Sequence, residues 1–294
     1  MKTDVVIVAY RSEAEIDACL NAVTDRENVA SVIVIDNGDG ASARRADSRG
    51  VGSAHLPTNP GFGTAVNHGA AAGEAEAILV LNPDAILVKG ALAAAIARLH
   101  GDPEVGAVQG AILNAVTGSE ERSAGRELGV VHLLGRLLHA RSLLRFTVVA
   151  RVAGRVALLA DHVDRRVETD RRVETLAATA VLFRRRAFES IDGFDERYFL
   201  YGEDLDLCAR LRAHGWKLIA IPETTAVHRS GGSSRSTWDR DLRWWQGTLR
   251  FARLHWRGPK RLVAIAIGVC EGAVLVVREP RQVRLVIAAI GGGS

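Results

Sequence analysis

Three short, uninterrupted apolar runs constrain this chain more than any other feature, because each is followed by polar residues able to bind a ligand or make a turn. They are Val5-Val6-Ile7-Val8-Ala9-Tyr10, Val32-Ile33-Val34-Ile35 before Asp36-Asn37-Gly38, and Ala77-Ile78-Leu79-Val80-Leu81 before Asn82-Pro83-Asp84. Runs of this length without polar alternation suit strands buried on both faces, the condition of a parallel sheet covered by helices. A helix around Glu13 to Val23 links the first two runs. Residues at the carboxyl ends of such strands stand where open α/β sheets bind their ligands. Asp36 is read equally well as the acid of an Asp-Asn-Gly turn. Asn-Pro-Asp taken alone is also turn chemistry. At a third strand end, Asp84 becomes a candidate hard-oxygen ligand for Mg²⁺ or Mn²⁺.

Between the second and third runs lies Asn59-Pro60-Gly61-Phe62-Gly63-Thr64-Ala65-Val66-Asn67-His68-Gly69, a glycine-rich approach to a small-residue helix. Backbone N–H groups at such a helix start suit a phosphate or a sugar. The stretch is neither G-x-G-x-x-G nor a P-loop, so it supports neither dinucleotide nor ATP binding. The second chemical centre is Tyr198 to Leu211, with Glu203, Asp204 and Asp206 at the start of a helix. Leu205, Cys208, Ala209 and Leu211 recur at helical spacing, and Gly215 stands where a C-terminal glycine belongs. Asp206 fits an i, i+4 pair with Arg210. Glu203 and Asp204 are candidate acid/base groups, with His228 one strand further on.

Taken in order, strand-Ala-Tyr, Ile-Asp-Asn-Gly, Asn-Pro-Gly-Phe-Gly-x-x-x-Asn, Leu-Asn-Pro-Asp and the Gly193-to-Leu211 segment carry a resemblance. The chain resembles the family 2 glycosyltransferases, in particular their bacterial rhamnosyltransferase-like branch, from about Thr3 to about Trp256. The resemblance implies a GT-A, Rossmann-like α/β domain with a mostly parallel central sheet. It implies inverting, metal-dependent transfer of a sugar, L-rhamnose from dTDP-rhamnose, to a saccharide acceptor in cell-wall or surface polysaccharide synthesis. A polyprenyl-diphosphate-linked acceptor also comes from the family. Carried over by position, Asp36 contacts the nucleoside. Ala9, Tyr10, Asn59, Gly61, Gly63, Asn67, Asn82 and Asp84 line the donor site, and Asn82 replaces the first acid of an Asp-x-Asp motif. Asp204, beside Glu203, is the general base. His228 joins Asp84 as metal ligand, on the opposite side of the Mn²⁺ or Mg²⁺ ion. Where relatives carry a tryptophan and a Ser-Gly pair near the acceptor, this chain reads Glu174-Thr175-Leu176-Ala177-Ala178-Thr179-Ala180.

The chemistry asks for these residue types. Inversion by in-line displacement needs a carboxylate within reach of the acceptor hydroxyl, and a cation opposite it neutralises the leaving diphosphate. A glycoside hydrolase using Glu203 and Asp204 is excluded, because adjacent helix residues point about 100° apart and cannot flank one bond. A family member that binds nucleotide-sugar or membrane without catalysis is the alternative, and Asp84, Asp204 and His228 argue against it. Gly231-Gly232-Ser233-Ser234-Arg235-Ser236-Thr237 fits a lid that brings Arg235 onto the diphosphate.

With 294 residues and 48% apolar composition, the chain can bury one large α/β domain with appendages. The expected organisation is a nucleotide-sugar-binding half over 1–120, an acceptor-binding and catalytic half over 121–256 with a basic amphipathic helical insertion, and an apolar helical tail over 257–294. Cys19, Cys208 and Cys270 form no C-x-x-C pattern and fit a reducing cytosol. No signal peptide is read at the N-terminus. From Val130 to Arg172, leucine and valine pairs alternate with Arg136, Arg141, Arg145, Arg151 and Arg155, which reads either as a helix on an anionic membrane or as one packed on the sheet. The apolar segment Leu262 to Val277 contains Glu271 and is shorter than the roughly 20 residues a spanning helix needs. It suits interfacial docking or packing on a second copy of the chain. The expected setting is peripheral, at the inner face of the plasma membrane. Nucleic acid is not expected as a partner, since the basic stretch carries no recognised binding motif.

Overall fold

The computed structural model describes residues 1–23, 27–121, 123–137, 167–229 and 237–290. Strands β1 (Thr3–Ala9), β2 (Val29–Asp36), β3 (Gly52–His55) and β4 (Ala77–Leu81) alternate with helices α1 (Ile16–Val23), α2 (Ala41–Asp47) and α3 (Phe62–Ala71). There follow β5 (Ala85–Leu87), α4 (Ala91–Gly101), β6 (Val105–Asn114), β7 (Glu120–Glu121), β8 (Ala124–Gly125) and α5 (Val130–Leu137). The chain continues with β9 (Arg171–Val173), β10 (Thr175–Leu176), β11 (Ala180–Arg184), α6 (Arg185–Glu189), α7 (Glu203–Ala213) and β12 (Lys217–His228). Helices α8 (Thr237–His255), α9 (Gly258–Arg278) and α10 (Val283–Ile290) close it.

The main sheet runs in the order β3-β2-β1-β4-β11-β6-β12-β5, with β7 added to β6 and β9 to β12. β3, β2, β1, β4, β6 and β12 run one way, while β11 and β5 oppose them. The three apolar runs are β1, β2 and β4, and the first two extend beyond the predicted residues at their N-terminal ends. Strand alternation sorts their side chains onto two faces. Val5, Ile7, Ala9, Leu79 and Leu81 pack with Cys19, Leu20 and Val23 of α1. Val6, Val8, Ile78 and Val80 pack with Ala65 and Val66 of α3 and with Phe183, Phe188 and Phe194. Both faces of the sheet are therefore covered, as continuous apolar strands require.

Two compact units emerge. Residues 1–125, 166–196 and 203–233 form the first, which holds the sheet; residues 126–165, 197–202 and 234–294 form the second, which is helical. In the second, Trp245 is buried and donates Nε1 to the Gly268 carbonyl at 2.8 Å. Trp245 and Phe251 of α8 are 1% and 0% exposed. Gly247 lets α8 pass directly over Tyr201, whose carbonyl carbon would lie 2.6 Å from any added Cβ. Of the basic insertion, α5 is described and Leu133 is buried. Arg141, Arg145, Arg151 and Arg155 lie outside the described residues. Among the described residues no helix is long and apolar enough to cross a membrane.

One buried ion pair ties the start of β1 to the far side of its layer. Asp4 accepts from Arg185 Nη2 and from the Ala75 amide, each at 2.8 Å, and from Ser31. Arg185 also donates to the Ala70 carbonyl at 2.9 Å. Truncating one partner of a buried pair leaves the other charge uncompensated and costs about 3–5 kcal/mol. Asp4→Ala is therefore expected to lower unfolding free energy by about that amount in urea titrations. A loss below about 1 kcal/mol would show that Arg185 finds another partner.

Candidate active site

The sheet register builds the first half of the site. Antiparallel pairing of β5 with β12 sets Ala85 opposite His228, and parallel pairing of β12 with β6 sets His228 beside Asn114. Asp84, the residue before β5, therefore meets His228, and its Oδ1 lies 3.1 Å from Nε2 of the ring. The Asp84 carbonyl accepts from the Arg229 amide at 3.0 Å, which fixes the turn on the other side. On the opposite edge of the imidazole, Nδ1 is 2.9 Å from Oε2 of Glu121, and Oε1 of Glu121 accepts from Asn114 at 3.0 Å. Burial acts to lower the His228 pKa, but the carboxylates on both ring edges outweigh it and push it up to about 9.

Asp84 and His228 thus come together as expected, but side by side. The 3.1 Å separation is a direct hydrogen-bonding contact between the two side chains. The physical reason is the register, which makes the two positions sheet neighbours. A hard divalent cation therefore fits an oxygen–nitrogen pair here, once the ring gives up its Nε2 proton. Among the described residues no three His, Cys, Asp or Glu side chains form a metal cage on their own.

The second half is the start of α7. Glu203 is 5% exposed and Asp204 is half-buried. Desolvation and then the neighbouring Asp204 charge push Glu203 up to about 8, and its Oε2 has no hydrogen-bond partner among the described residues. Desolvation also raises Asp204, opposed by amides that hydrogen-bond its carboxylate, among them those of Leu205, at 2.8 Å from Oδ1, and Ala178. Asp206 is buried and bonded to Arg210 at 2.7 Å, so it has the structural role its spacing suggested.

The segment Ala177 to Ala180 joins the two halves. Its Ala178 amide serves Asp204, while its Thr179 carbonyl accepts from the Asn82 amide at 2.8 Å. Cys208 of α7 receives the Leu176 amide at 3.3 Å. Gln109, buried in β6, donates to the Ala177 carbonyl at 2.6 Å and to that of Ala180 at 3.1 Å. Gln109 and Glu121 were missed in the sequence. The available signal for Gln109 was an amide inside an otherwise apolar strand, where buried polar groups require partners.

The remaining candidates divide by role. Ala9 is buried, its carbonyl accepting from Asn37, and Tyr10 is half-buried under the Arg11 guanidinium. Asp36 is buried, with Oδ1 accepting from Gly38 at 2.7 Å and Oδ2 from Ala43 at 3.1 Å, so it shapes the turn into α2. Asn59 and Gly61 adopt φ of 44° and 104°, turning the chain into α3. Gly63 lets Phe194 approach, since a Cβ there would sit 2.8 Å from that of Phe194. Asn67 accepts from the Phe194 amide and donates to its carbonyl, both at 2.9 Å, and donates to Glu196 at 3.0 Å. Its carboxamide holds the Gly193–Phe194 turn. Asn82 is half-buried at the end of β4, and Arg235 lies outside the described residues.

A mostly parallel α/β sheet with an acid and a histidine at its strand ends, and an acid pair on a helix nearby, defines a sugar-nucleotide transferase of the GT-A class. The family model described as glycosyltransferase-like family 2 matches residues 2–247. The chain belongs to that family. It is 31% identical over 282 residues to the N-acetylglucosaminyl-diphospho-decaprenol L-rhamnosyltransferase of Mycobacterium tuberculosis H37Rv, covering 84% of this chain and 87% of that one. Among solved structures, the Pyrobaculum calidifontis mannosyltransferase PcManGT, solved with GDP-Man and Mn²⁺, aligns with a TM-score of 0.56 at 18% identity. That alignment covers 99% of this chain and 74% of the other. Glucosyl-3-phosphoglycerate synthase of Mycobacterium tuberculosis aligns with a TM-score of 0.51 at 17% identity, over 86% of this chain and 79% of its own.

The raised Glu203 carboxyl links fold to pH. An acid whose folded pKa lies above its unfolded value disfavours the folded state once the unfolded chain has ionised, so stability falls as pH rises from about 4.5 towards 8. Glu203→Gln removes that penalty. Its melting temperature relative to the unsubstituted protein should rise steadily between pH 5 and pH 8.5. A difference that stays constant across this range would show that Glu203 ionises as freely folded as unfolded.

Proposed function

We propose that this chain catalyses inverting transfer of L-rhamnose from dTDP-rhamnose to a polyprenyl-diphosphate-linked saccharide, with a divalent metal at Asp84 and His228. The similar mycobacterial enzyme is named for L-rhamnosyl transfer and for N-acetylglucosaminyl-diphospho-decaprenol. The observation that carries the reading is the half-buried Asp204, held by backbone amides of which one, that of Ala178, lies on the segment that also anchors Asn82. In this reading residues 1–120 bind the donor, residues 121–256 bind the acceptor and hold the base, and residues 257–294 form an apolar tail.

Asp204 removes the proton from the attacking acceptor hydroxyl. That oxygen forms the new bond to the anomeric carbon, while the bond from that carbon to the diphosphate oxygen breaks with its electron pair and the nucleoside diphosphate leaves. Asp84 and His228 would hold the cation, with Asn82 two residues before Asp84 at the end of β4. When bound, Mn²⁺ or Mg²⁺ supplies charge neutralisation at the leaving diphosphate; the PcManGT complex is one fold relative solved with Mn²⁺. Asp36, Tyr10 and the Asn59–Gly63 turn contribute to nucleoside binding, and Asn67 holds the Phe194 turn beside α3; Arg235, read from the sequence as a diphosphate ligand, lies outside the described residues. Glu203, protonated near neutral pH, keeps a second charge away from the base.

The enzyme works at the cytoplasmic membrane surface. Helix α9 buries Ala264, Ile267, Gly268 and Leu275 but exposes Leu262, Ala266, Val269, Ala273 and Val277 as one stripe. Exposed Lys260 and Arg261 stand at one end of that stripe, and exposed Arg281 and Arg284 just beyond the other. Apolar residues flanked by cations match an anionic bilayer better than a second copy carrying the same charges.

Asp204→Asn is expected to leave donor binding intact and to lower turnover by about 10²–10⁴. Release of nucleoside diphosphate against a donor panel measures it, and retention of more than about half the rate would remove Asp204 from the role of base. Liposome sedimentation should show binding that grows with anionic lipid and weakens with salt. Val269→Glu with Val277→Glu should abolish it. Equal sedimentation with neutral vesicles would exclude the electrostatic component, and no binding at low salt would exclude the membrane reading.

A further inference from the structure

Glu121 lies outside the motifs that carry the family resemblance, yet it faces the one side chain on which the proposed metal pair depends. Its Oε2 is 2.9 Å from His228 Nδ1, on the ring edge opposite the one that meets Asp84. An ion on the Nε2 edge is therefore out of its reach, which excludes Glu121 as a third ligand to that ion.

Glu121 is itself fixed in place. The β6–β7 hairpin pairs it with Ile112, and Asn114 donates to its Oε1 at 3.0 Å. The Asn114 side-chain Oδ1 in turn accepts the Val116 and Thr117 amides, each at 3.0 Å, so the hairpin turn and the carboxylate are set by one side chain. Such a chain, from a turn to an amide to a carboxylate to an imidazole, leaves little rotational freedom to the ring.

We propose that Glu121 is a positioning residue for the metal site, accepting the His228 Nδ1 proton so that the Nε2 lone pair faces the position shared with Asp84. Resting on the metal reading above, this adds a carboxylate–histidine–metal relay on the β6–β7 hairpin. Outer carboxylates of this kind fix the tautomer and orientation of a ligating histidine, and their loss commonly costs 10–100-fold in metal affinity.

The test uses the full chain and measures Mn²⁺ affinity by the spin-resonance signal of the free ion, with dTDP or UDP present, whichever the unsubstituted protein binds more tightly. Glu121→Ala should weaken Mn²⁺ binding by 10–100-fold while leaving metal-free nucleotide affinity unchanged. Glu121→Gln keeps an acceptor oxygen, and should recover part of that loss; it also stands in if the alanine variant does not fold. In a His228→Ala background, Glu121→Ala should add nothing. Mn²⁺ affinity unchanged in Glu121→Ala, or an equal loss on top of His228→Ala, would overturn the positioning role while the metal site stands. No Mn²⁺ binding by the unsubstituted protein would overturn the metal site and this proposal together.

Discussion

The antiparallel docking of β5 on β12 is the contact on which the site depends. Asp84 and His228 are 144 residues apart in sequence, and no local signal joins them. Pairing Ala85 with His228 converts that separation into 3.1 Å. Because side chains alternate along a strand, a slip of one residue would turn His228 to the other face of the sheet and leave Asp84 facing a neighbour. The register is secured on the far side as well, where β12 lies parallel to β6 and brings Asn114 alongside. Arg229 then closes the corner by donating its amide to the Asp84 carbonyl.

A second constraint follows from the reversed strand β11. It inserts between β4 and β6, so the loop that enters it passes across the carboxyl end of β4, where Asn82 stands. That loop, Ala177 to Ala180, is made of small residues and has few side-chain atoms with which to hold itself. Its order comes from outside: Gln109 grips two of its carbonyls, Asn82 a third, and Asp204 takes an amide. The departure from the family's pattern in this segment therefore falls on the piece that joins Asp204 to the end of β4 and Asn82.

Much of the first unit was legible because local physics wrote it. Continuous apolar runs became β1, β2 and β4, and α7 ends where Gly215 takes a φ of 87°. The bland reading of Asp206 was also legible, since i, i+4 spacing to Arg210 needs no tertiary knowledge. Periodicity does not specify strand partners, however. Nothing in Ala180–Arg184 announces that it runs against its neighbours, and nothing in Glu120–Glu121 points to His228. The bonds that Asn67 makes to Phe194 and Glu196, more than a hundred residues away, have no local signal either. The sequence showed which residues carry chemistry; the sheet order decides which of them meet.

Burial, more than residue type, separates the two adjacent acids of α7. Both are carboxyls at a helix start, where partial positive charge favours ionisation of either. Glu203 is almost wholly removed from solvent, lacks a partner for Oε2 and feels the charge of its neighbour, so its proton is held up to about pH 8. Asp204 is more exposed and is bonded by amides that favour its charged form. Two neighbouring carboxyls with little solvent around them resist ionising together, and the amides of Leu205 and Ala178 oppose the rise at Asp204. Burial therefore raises both acids of the pair, Glu203 up to about 8, while hydrogen-bonding amides work against the rise at Asp204. The acid more fully removed from solvent is thus one whose proton is held well above the ordinary glutamate value.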